Sequence, residues 1–539
     1  MKKKLSALVV LFLAFAFILS ACGGSGTQGG NTTTAAGGTG GASTTAASGD
    51  GAQGGNASGR DDITVAVVSE WATLDPMLAN DLLAFTVTNQ FFDTLVLLKQ
   101  DDNTLMPGLA TEWTISDDGL EYVFTLREGV KFHNGETMTA EDVVFSFNRA
   151  VASTPTARIT GAIEKTEKVD DKTIKVTLKY PYGPFLACAS MPNLAVVSQK
   201  AVEEMGDEAF ARSPVGTGPY TFVEWRPGDR IIMEAFADYW RGEAPIKNAS
   251  FRVITDAATT TIALESGEID MILSVTPSEK QNIVNNSSLH YSETGSGSPW
   301  FLAFHMEKGL FTDPLLRQAV AYAVKAEDII MGALEGNGIV IDAPMTPDAF
   351  GYPHGFERTP HDPEKATALL AEAGYAPGEL SITLRTMESP NYAKPAEIIQ
   401  EQLRVAGFDC KLDLMERGAF LADAYTNGEY ELMFTSLTAL VPDADMITYT
   451  RFHSAHKGNG MNFTYTDIPE MDVLLDQSRT ETDSAKREAI FREIYEMNKE
   501  QVIYVPLYVG MNGTACVGDL QGLYAHMAQR YFIYDLSWK

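Results

Sequence analysis

The chain contains 539 residues, of which 45% are hydrophobic, 21% charged and 10% aromatic, a composition typical of a soluble globular protein. At this length we expect roughly three or four domains. The formal net charge is −30. A field of that sign repels phosphate groups, so the charge argues against nucleic acid as a partner and against adsorption of the folded part to an anionic membrane.

The first residues have the pattern of an export signal. Residues 2–4 are lysines, and residues 5–19 form an apolar run that is shorter than the about 20 residues a membrane span needs. Leu19-Ser20-Ala21-Cys22 then places small residues before a cysteine and resembles the bacterial lipobox. The sequence therefore predicts a signal peptide at residues 1–21 and a diacylglyceryl group on Cys22. An ordinary signal peptide followed by a chance cysteine is the alternative.

A stretch of low complexity follows the cysteine. Residues 23–60 are almost wholly Gly, Ser, Thr, Ala, Asn and Gln. Such a segment cannot bury enough apolar surface to offset the entropy that it would lose on ordering. We therefore expect residues 22–60 to form a lipidated, flexible tether with a root-mean-square span of roughly 35 Å.

The remaining cysteines do not form a disulfide framework. Cys188, Cys410 and Cys516 are far apart and odd in number, and the chain has no CxxC pair. They can form at most one disulfide, and we expect them to be buried apolar thiols.

From residue 61 onwards the chain alternates strand-like and helix-like segments, which indicates an α/β protein. Strands are predicted, in chain order, at residues 63–68, 122–126, 173–178, 231–235, 251–254, 301–304, 382–385, 411–414, 432–435 and 503–508. Helices are predicted at residues 139–149, 314–324, 363–373 and 396–406. The first opens with a capping box, Thr139 with Asp142, and the third has the N-cap and first-turn proline Asp362-Pro363.

Several short segments, spread over nearly the whole mature chain, carry a resemblance to a known family. They are LDP at 74–76, FDTL at 92–95, PGLATEW at 107–113, SDDG at 116–119, LREGVKFHNG at 126–135, TAEDV at 139–143, VGTGPY at 215–220, DYW at 238–240, LESGEID at 264–270 and RQAVAYA at 317–323. In this order and spacing they resemble family 5 of the extracellular solute-binding proteins, which contains oligopeptide-, dipeptide- and nickel-binding proteins. Many are turn signals, and residues 216–219 indicate a tight backbone passage, so we interpret most of these segments as scaffold.

The resemblance implies a periplasmic-binding protein type II fold, in which two lobes joined by a hinge enclose the ligand. Lobe I would comprise residues 61–101, 214–296 and 506–539, with an extra domain at residues 102–213. Lobe II would comprise residues 297–505. Two crossings between the lobes are expected, near residues 295–300 and near residues 505–506.

Candidate ligand contacts follow from predicted strand ends and from the resemblance. Trp71 and Trp300 are candidate walls of the cleft, because aromatic rings stack on sugars and peptide side chains, with hinge packing as the alternative. His305 stands where relatives often have Asn and is either a polar wall residue or a structural histidine.

The loop after the strand at 432–435 supplies further candidates, Thr438, Asp443 and Asp445. In peptide-binding relatives an aspartate of this loop pairs with the amino group of the ligand, but its position corresponds to Leu440 here. Either Asp443 takes over that role or the ligand has no free α-amine, since an unpaired buried charge is costly. A cap on a short helix beginning near Asp445 is the alternative role for Asp443.

The arginine that binds the ligand carboxylate in dipeptide-binding relatives also has no counterpart. Residues 387–395, before the fourth predicted helix, offer Tyr392 and Lys394 but no arginine. Ordinary dipeptides therefore fit this chain poorly. The ligand classes left open are longer peptides, peptide-like molecules, opines and oligosaccharides.

Catalysis and metal binding are not expected. The folded part has no P-loop, HExxH or GxSxG motif, and His453 and His456 have no third ligand nearby in sequence. We predict the substrate-binding lipoprotein of an ABC importer, without a cofactor, that delivers a peptide or peptide-like solute to the permease. The same role for an oligosaccharide, opine or metal chelate, or a peptide sensor without transport, are the alternatives.

The predicted partners are the ligand and an ABC permease with its ATPase subunits, and we expect a monomer. The location would be extracytoplasmic, with the lipid alone attaching the protein to the outer face of the bacterial cytoplasmic membrane.

Replacing Cys22 by Ser removes the thiol that would be alkylated. We expect Cys22→Ser to lose incorporation of radiolabelled palmitate and to keep its signal peptide uncleaved by the lipoprotein route. Ser25→Ala, beyond the cleavage site, is the control and should be labelled normally. Labelling of Cys22→Ser at the wild-type level would contradict the lipid anchor.

Overall fold

A computed structural model gives the fold of residues 59–99, 104–458 and 461–539. The predicted signal peptide, Cys22 and nearly all of the predicted tether lie outside these described residues. Within them, no helix combines the length and the apolar character that crossing a bilayer requires.

Strands and helices alternate along the described residues, as expected for an α/β protein. The strands are β1 (Asp62–Val67), β2 (Val96–Leu98), β3 (Leu105–Pro107), β4 (Ala110–Ile115), β5 (Glu121–Leu126), β6 (Ile163–Asp170), β7 (Thr173–Leu178), β8 (Tyr220–Arg226), β9 (Arg230–Ala235), β10 (Asn248–Val253), β11 (Met271–Val275), β12 (Leu289–Phe304), β13 (Gly338–Val340), β14 (Ser381–Met387), β15 (Asp409–Met415), β16 (Leu432–Ser436), β17 (Tyr504–Val517), β18 (Leu520–Gln521) and β19 (Ser537–Trp538). The helices are α1 (Leu82–Thr88), α2 (Ala140–Ala152), α3 (Ala157–Thr160), α4 (Phe185–Cys188), α5 (Gln199–Met205), α6 (Asp207–Phe210), α7 (Ala257–Glu265), α8 (Pro277–Val284), α9 (Pro314–Ala323), α10 (Ala326–Ala333), α11 (Pro363–Glu372), α12 (Pro390–Val405), α13 (Arg417–Ala422), α14 (Asp445–Phe452), α15 (Pro469–Thr480) and α16 (Ser484–Gln501).

One large mixed sheet runs through both lobes. It has 11 strands in the order β15-β14-β16-β12-β17-β11-β1-β10-β9-β8, with β13 paired to β17. Strands β1 and β8 to β11 lie in lobe I, and β13 to β16 lie in lobe II. The long strands β12 and β17 form an antiparallel pair that extends from one lobe into the other.

The pairing of β12 with β17 is interrupted where the chain passes between the lobes. The pairs on the lobe I side end at Gly295 with Met511, and those on the lobe II side begin at Pro299 with Val509. On β12 this interruption falls within the predicted crossing. On β17 it lies later than the crossing predicted near residues 505–506, because β17 continues through those residues as a strand of lobe II. The domain limits themselves stay a prediction.

A second sheet lies within the predicted extra domain. Its strands are antiparallel and follow the order β4-β5-β7-β6. Residues Tyr122, Phe124 and Leu126 alternate with more exposed neighbours on β5, so one face of this sheet is buried. Helix α2 lies against β6 and β7 on this side.

The sheet of lobe II carries a separate core on each face. Along β12, Leu302 and Phe304 belong to one core, and Phe301 and Ala303 belong to the other. This alternation is the normal period of a strand. Because of this alternation, neighbouring residues of β12 in lobe II lie on opposite faces of the sheet.

The predicted strands and helices are present, and one helix begins earlier than expected. The capping box of Thr139 and Asp142 opens α2, and Asp362 caps α11. Helix α12, however, begins at Pro390 and contains Pro395. A proline in the second turn removes one helix hydrogen bond without ending the helix, so α12 extends six residues before the predicted start at residue 396. Tyr392 therefore lies on the first turn of α12 and not in a loop.

Three of the family-like segments meet at one buried carboxylate, that of Asp93. It accepts hydrogen bonds from Thr217 Oγ1 at 3.2 Å, from the Tyr239 hydroxyl at 3.0 Å and from Trp240 Nε1 at 2.8 Å. Desolvation raises the pKa of Asp93 to about 6. These segments thus act as scaffold in lobe I.

The backbone passage predicted at residues 216–219 is tight. A Cβ atom on Gly216 would lie 2.1 Å from the carbonyl oxygen of Phe91 and 2.4 Å from the ring of Phe92. Only glycine therefore fits at this position.

Substitution of Gly216 by Ala should destabilise lobe I, because the new methyl group meets backbone that cannot move aside. We expect Gly216→Ala to lower the free energy of unfolding by about 3 kcal/mol or more, measured by urea denaturation. Gly510→Ala is the matched control, since its Cβ would come no closer than 3.9 Å to any neighbour. Equal stability of the two variants would refute this account.

Candidate ligand cleft

Lobe II and the predicted extra domain also touch through side-chain and backbone contacts that do not involve the crossing strands. The backbone N–H of Gly183 donates to the carbonyl oxygen of Arg479 at 2.9 Å. The Tyr182 hydroxyl lies 3.4 Å from the Met446 sulfur, and the Arg479 guanidinium lies 5.2 Å from the centre of the Tyr182 ring. We call these four residues the interlobe contact. The lobes are therefore joined by two strands and also touch across the cleft.

Thr438, a predicted ligand contact, lies beside the crossing strands. Its hydroxyl is 2.8 Å from that of Ser298. The next residue, Ala439, donates its N–H to the carbonyl oxygen of Gly297 at 2.8 Å, and the Gly297 N–H donates to Met527 at 3.0 Å. The loop that follows β16 is thereby fixed to β12 at the crossing.

The two predicted carboxylates of this loop both have arginine partners in lobe II. The oxygens of Asp443 lie 2.7 Å from the two terminal nitrogens of Arg487. Those of Asp445 lie 2.8 and 3.1 Å from Arg479. Desolvation raises the pKa of Asp445, and the charge of Arg479 offsets this only in part. In this conformation neither carboxylate is free for a ligand ammonium group.

Asp443 also has the capping contact that was its alternative role. Its Oδ1 accepts the backbone N–H of Asp445 at 3.0 Å, at the start of α14. The residue is buried. Its carboxylate therefore orders the loop and the beginning of the helix.

Trp300 and Tyr392 form an aromatic cluster in lobe II. Their ring centres are 4.6 Å apart, and Trp300 also stacks on Phe434 at 5.1 Å and on Tyr508 at 5.9 Å. Trp300 is half-buried, so it retains accessible surface, and it lies on β12 directly after the crossing.

Trp71 lies apart from that cluster, in the core of lobe I. It is 2% exposed and its ring centre is 6.0 Å from that of Trp225. Among the described residues, its Nε1 has no hydrogen-bond partner. Packing within lobe I is the role that these contacts support.

His305 follows the last residue of β12 in lobe II, away from the crossing, which favours its alternative role as a structural histidine. It follows Trp300 by five residues, about 16 Å along a strand. Its ring stacks on Tyr465 at 4.2 Å, and burial lowers its pKa to about 4. The predicted strand was too short to show how far His305 lies from the cleft.

The histidine and cysteine side chains have structural surroundings. The rings of His453 and His456 are 6.4 Å apart. Within the part of the chain that is described, no cluster of three or more metal-ligating side chains occurs. Cys188, Cys410 and Cys516 are buried free thiols, as expected.

The sequence interpretation missed the arginines that pair with the loop carboxylates. Arg487 follows Asp443 by 44 residues, so no local pattern links them. One signal was available, because Arg487 shares the buried face of α16 with Phe491 and Ile494. A charged residue within an apolar helical stripe indicates a buried ion pair.

The comparison with known families decides the identity of the fold. The model of the bacterial extracellular solute-binding proteins, family 5 (middle), matches residues 104–459. The chain belongs to this family. The predicted type II periplasmic-binding fold is confirmed by its structural neighbours.

Two relatives of this family 5 protein are glutathione-binding proteins named GsiB. The one from Pectobacterium atrosepticum is 30% identical over 444 residues, covering 80% of this chain and 85% of that protein. The one from Salmonella typhi is 29% identical over 475 residues, covering 86% and 92%.

Solved structures of similar proteins agree with the type II periplasmic-binding fold. HbpA2 from Haemophilus parasuis matches with a TM-score of 0.82 and 26% identity, over 89% of this chain and 100% of that one. DppA from Helicobacter pylori, in complex with the peptide STSA, matches with a TM-score of 0.73 and 28% identity, over 88% and 98%.

Replacing Asp443 by Asn leaves the Arg487 guanidinium buried without a carboxylate. Because the amide still caps α14, we expect the loss to come from the ion pair, about 3–5 kcal/mol in the free energy of unfolding. Denaturant titration of Asp443→Asn measures it, with the exposed Asp328→Asn as control. Adding Arg487→Met should restore part of the stability. An Asp443→Asn variant as stable as the wild type would contradict the structural role.

Proposed function

We propose that this family 5 protein is the substrate-binding lipoprotein of an ABC importer, which captures a peptide or peptide-like solute between its lobes and delivers it to the permease. The observation that carries the proposal is the pair of strands β12 and β17, which joins two lobes that also touch across the cleft. Two bodies joined in this way can enclose a solute by rotation about the crossing. Membership of a solute-binding family supports a binding role without catalysis.

The relatives favour a peptide-like solute. The curated relatives named above bind glutathione, and the DppA structure holds a four-residue peptide. The aromatic cluster of Trp300 and Tyr392 supplies an apolar wall that suits such a ligand. Neither Asp443 nor Asp445 is available to its amino group, so recognition depends on other contacts.

We further propose that lipid on Cys22 anchors the protein outside the cytoplasmic membrane, and that it acts as a monomer with a permease and its ATPase subunits. The lipobox supports the anchor, and the extracytoplasmic relatives support the location.

The test of the proposed function is ligand binding by the mature protein without its lipid. Small molecules that co-purify with it should be identified by native mass spectrometry, and titration calorimetry should then be performed with glutathione and with tri- and tetrapeptides. Binding of at least one of these supports the proposal. Specific binding of an oligosaccharide with no response to any peptide would overturn the peptide part of it.

Ligand binding should also compact the molecule, because the closed state is favoured by the solute that it encloses. Small-angle scattering at saturation should give a smaller radius of gyration than the free protein. Tyr182→Ala, which removes a side chain of the interlobe contact, should weaken this compaction, whereas Arg492→Gln, on the exposed face of α16, should not. An unchanged radius in the wild type at saturation would count against hinge closure.

A further inference from the structure

The loop after β16 and helix α14 contribute apolar side chains to a core outside lobe II. Val441 and Met446 are buried in a large hydrophobic core, and Leu440 packs against it. That core includes Val65 of β1 in lobe I and Phe124 of β5 in the predicted extra domain. Among the described residues, no other hydrophobic side chain of lobe II belongs to it. We call Leu440, Val441 and Met446 the apolar plug.

Helix α14 is buried on two sides, and Met446 is on the side that faces away from its own lobe. Ile447 and Phe452 belong to the core that α14 shares with α15 and α16 of lobe II. Met446 is 4% exposed, and its sulfur lies 3.4 Å from the Tyr182 hydroxyl. That hydroxyl is also 4.0 Å from the sulfur of Cys188. The thioether of Met446 therefore lies against residues of the extra domain.

The apolar plug is buried only while the lobes touch. Its three side chains belong to lobe II, whereas the core that receives them belongs to lobe I and the extra domain. Rotation of the lobes about the crossing strands would withdraw the plug from that core and expose it to water. Because burial of apolar surface is favourable, the plug stabilises the arrangement in which the lobes touch.

Met446 differs chemically from the other two members of the plug, because its thioether can be oxidised by a peroxide. The O–O bond of the peroxide breaks, one oxygen forms the S=O bond, and the other leaves as water. Sulfur loses two electrons, and the peroxide gains them. The sulfoxide is polar and chiral, so it disrupts an apolar core. The contact of 3.4 Å between the sulfur and the Tyr182 hydroxyl also leaves no room for an added oxygen on that side.

We propose that Met446 is an oxidation site that becomes accessible to peroxide when the lobes part, and that its sulfoxide opposes their return to the touching arrangement. This inference rests on the hinge motion of the proposed function, but it concerns the protein itself and not its solute. Oxidation at this one side chain would increase the population of the open state.

The first experiment compares oxidation rates of several methionines within one sample. The mature protein, without a solute, would be treated with hydrogen peroxide, and the sulfoxide at each methionine would be followed by peptide mass spectrometry. Met331 is 68% exposed and gives the rate of an accessible thioether. Met138 is the matched control, because it is 7% exposed, slightly more than Met446, but lies within the extra domain.

We expect Met446 to be oxidised more slowly than Met331 but at least about tenfold faster than Met138, since a minor open state populated at about 0.1–10% exposes only the plug. If reactivity followed the exposure seen in this arrangement, Met138 would instead react faster than Met446. The order of the two rates therefore distinguishes exposure by lobe opening from exposure within a lobe.

The second experiment measures the effect of the sulfoxide on the lobes. Met446→Leu keeps an apolar side chain of similar volume but cannot be oxidised, so it controls for oxidation at every other methionine. We expect peroxide to increase the radius of gyration of the wild type, measured by small-angle scattering, and to leave that of Met446→Leu unchanged. Met446→Gln, with a polar side chain of similar length, should have the larger radius without peroxide.

The outcomes separate this inference from the proposed function. Oxidation of Met446 no faster than that of Met138 would overturn its exposure on opening. An unchanged radius of the wild type after complete oxidation of Met446 would overturn the effect of the sulfoxide. Both measurements are made without a solute, so failure of every peptide to bind would overturn the peptide part of the proposed function and leave this inference standing.

Discussion

The pairing of two loop carboxylates with two helix arginines is the interaction on which the cleft side of lobe II depends. Asp443 with Arg487 and Asp445 with Arg479 connect the loop after β16 to α15 and α16. Buried charges are tolerated only with such partners, so the pairs restrict the loop to one arrangement. That arrangement also places Arg479 against Tyr182 of the extra domain. The same ion pair therefore orders lobe II and supplies its contact across the cleft.

The distribution of charge follows from these pairs. With Arg487 and Arg479 as partners, the two loop carboxylates add little net charge to the cleft side of lobe II, although the chain as a whole is strongly acidic. The net charge of the chain and the charge at the cleft are thus independent properties. The net charge argues against nucleic acid as a partner class, but it carries no information about the sign of the potential within a cleft.

The fold could be predicted from the sequence because its signals are local. Capping residues such as Thr139 and Asp362, turn glycines and alternating strand patterns each depend on a few neighbouring residues. The tight passage at Gly216 was also visible, although its reason, the approach of Phe91 and Phe92, was not. Strand lengths were underestimated for β12 and β17, because the crossing interrupts their apolar pattern with small and polar residues.

The cleft was predicted less well because its contacts join distant parts of the chain. Asp443 lies in the loop after β16, as the sequence indicated, but its partner on α16 could not be identified from the spacing along the chain. His305 was a candidate because relatives often have Asn at its position, and the course of β12 now favours its alternative role as a structural histidine.

The break in the ladder between β12 and β17 has a mechanical consequence. On either side of it the two strands are hydrogen-bonded to each other and to the strands of their own lobe, and those pairs resist bending. Between Gly295 and Pro299 the two strands are not paired with each other, so we expect bending to concentrate in these few residues. Two adjacent strands permit rotation mainly about one axis. The opening of the cleft is then described by one hinge angle between the lobes. A membrane partner could distinguish the open from the closed protein by that angle alone.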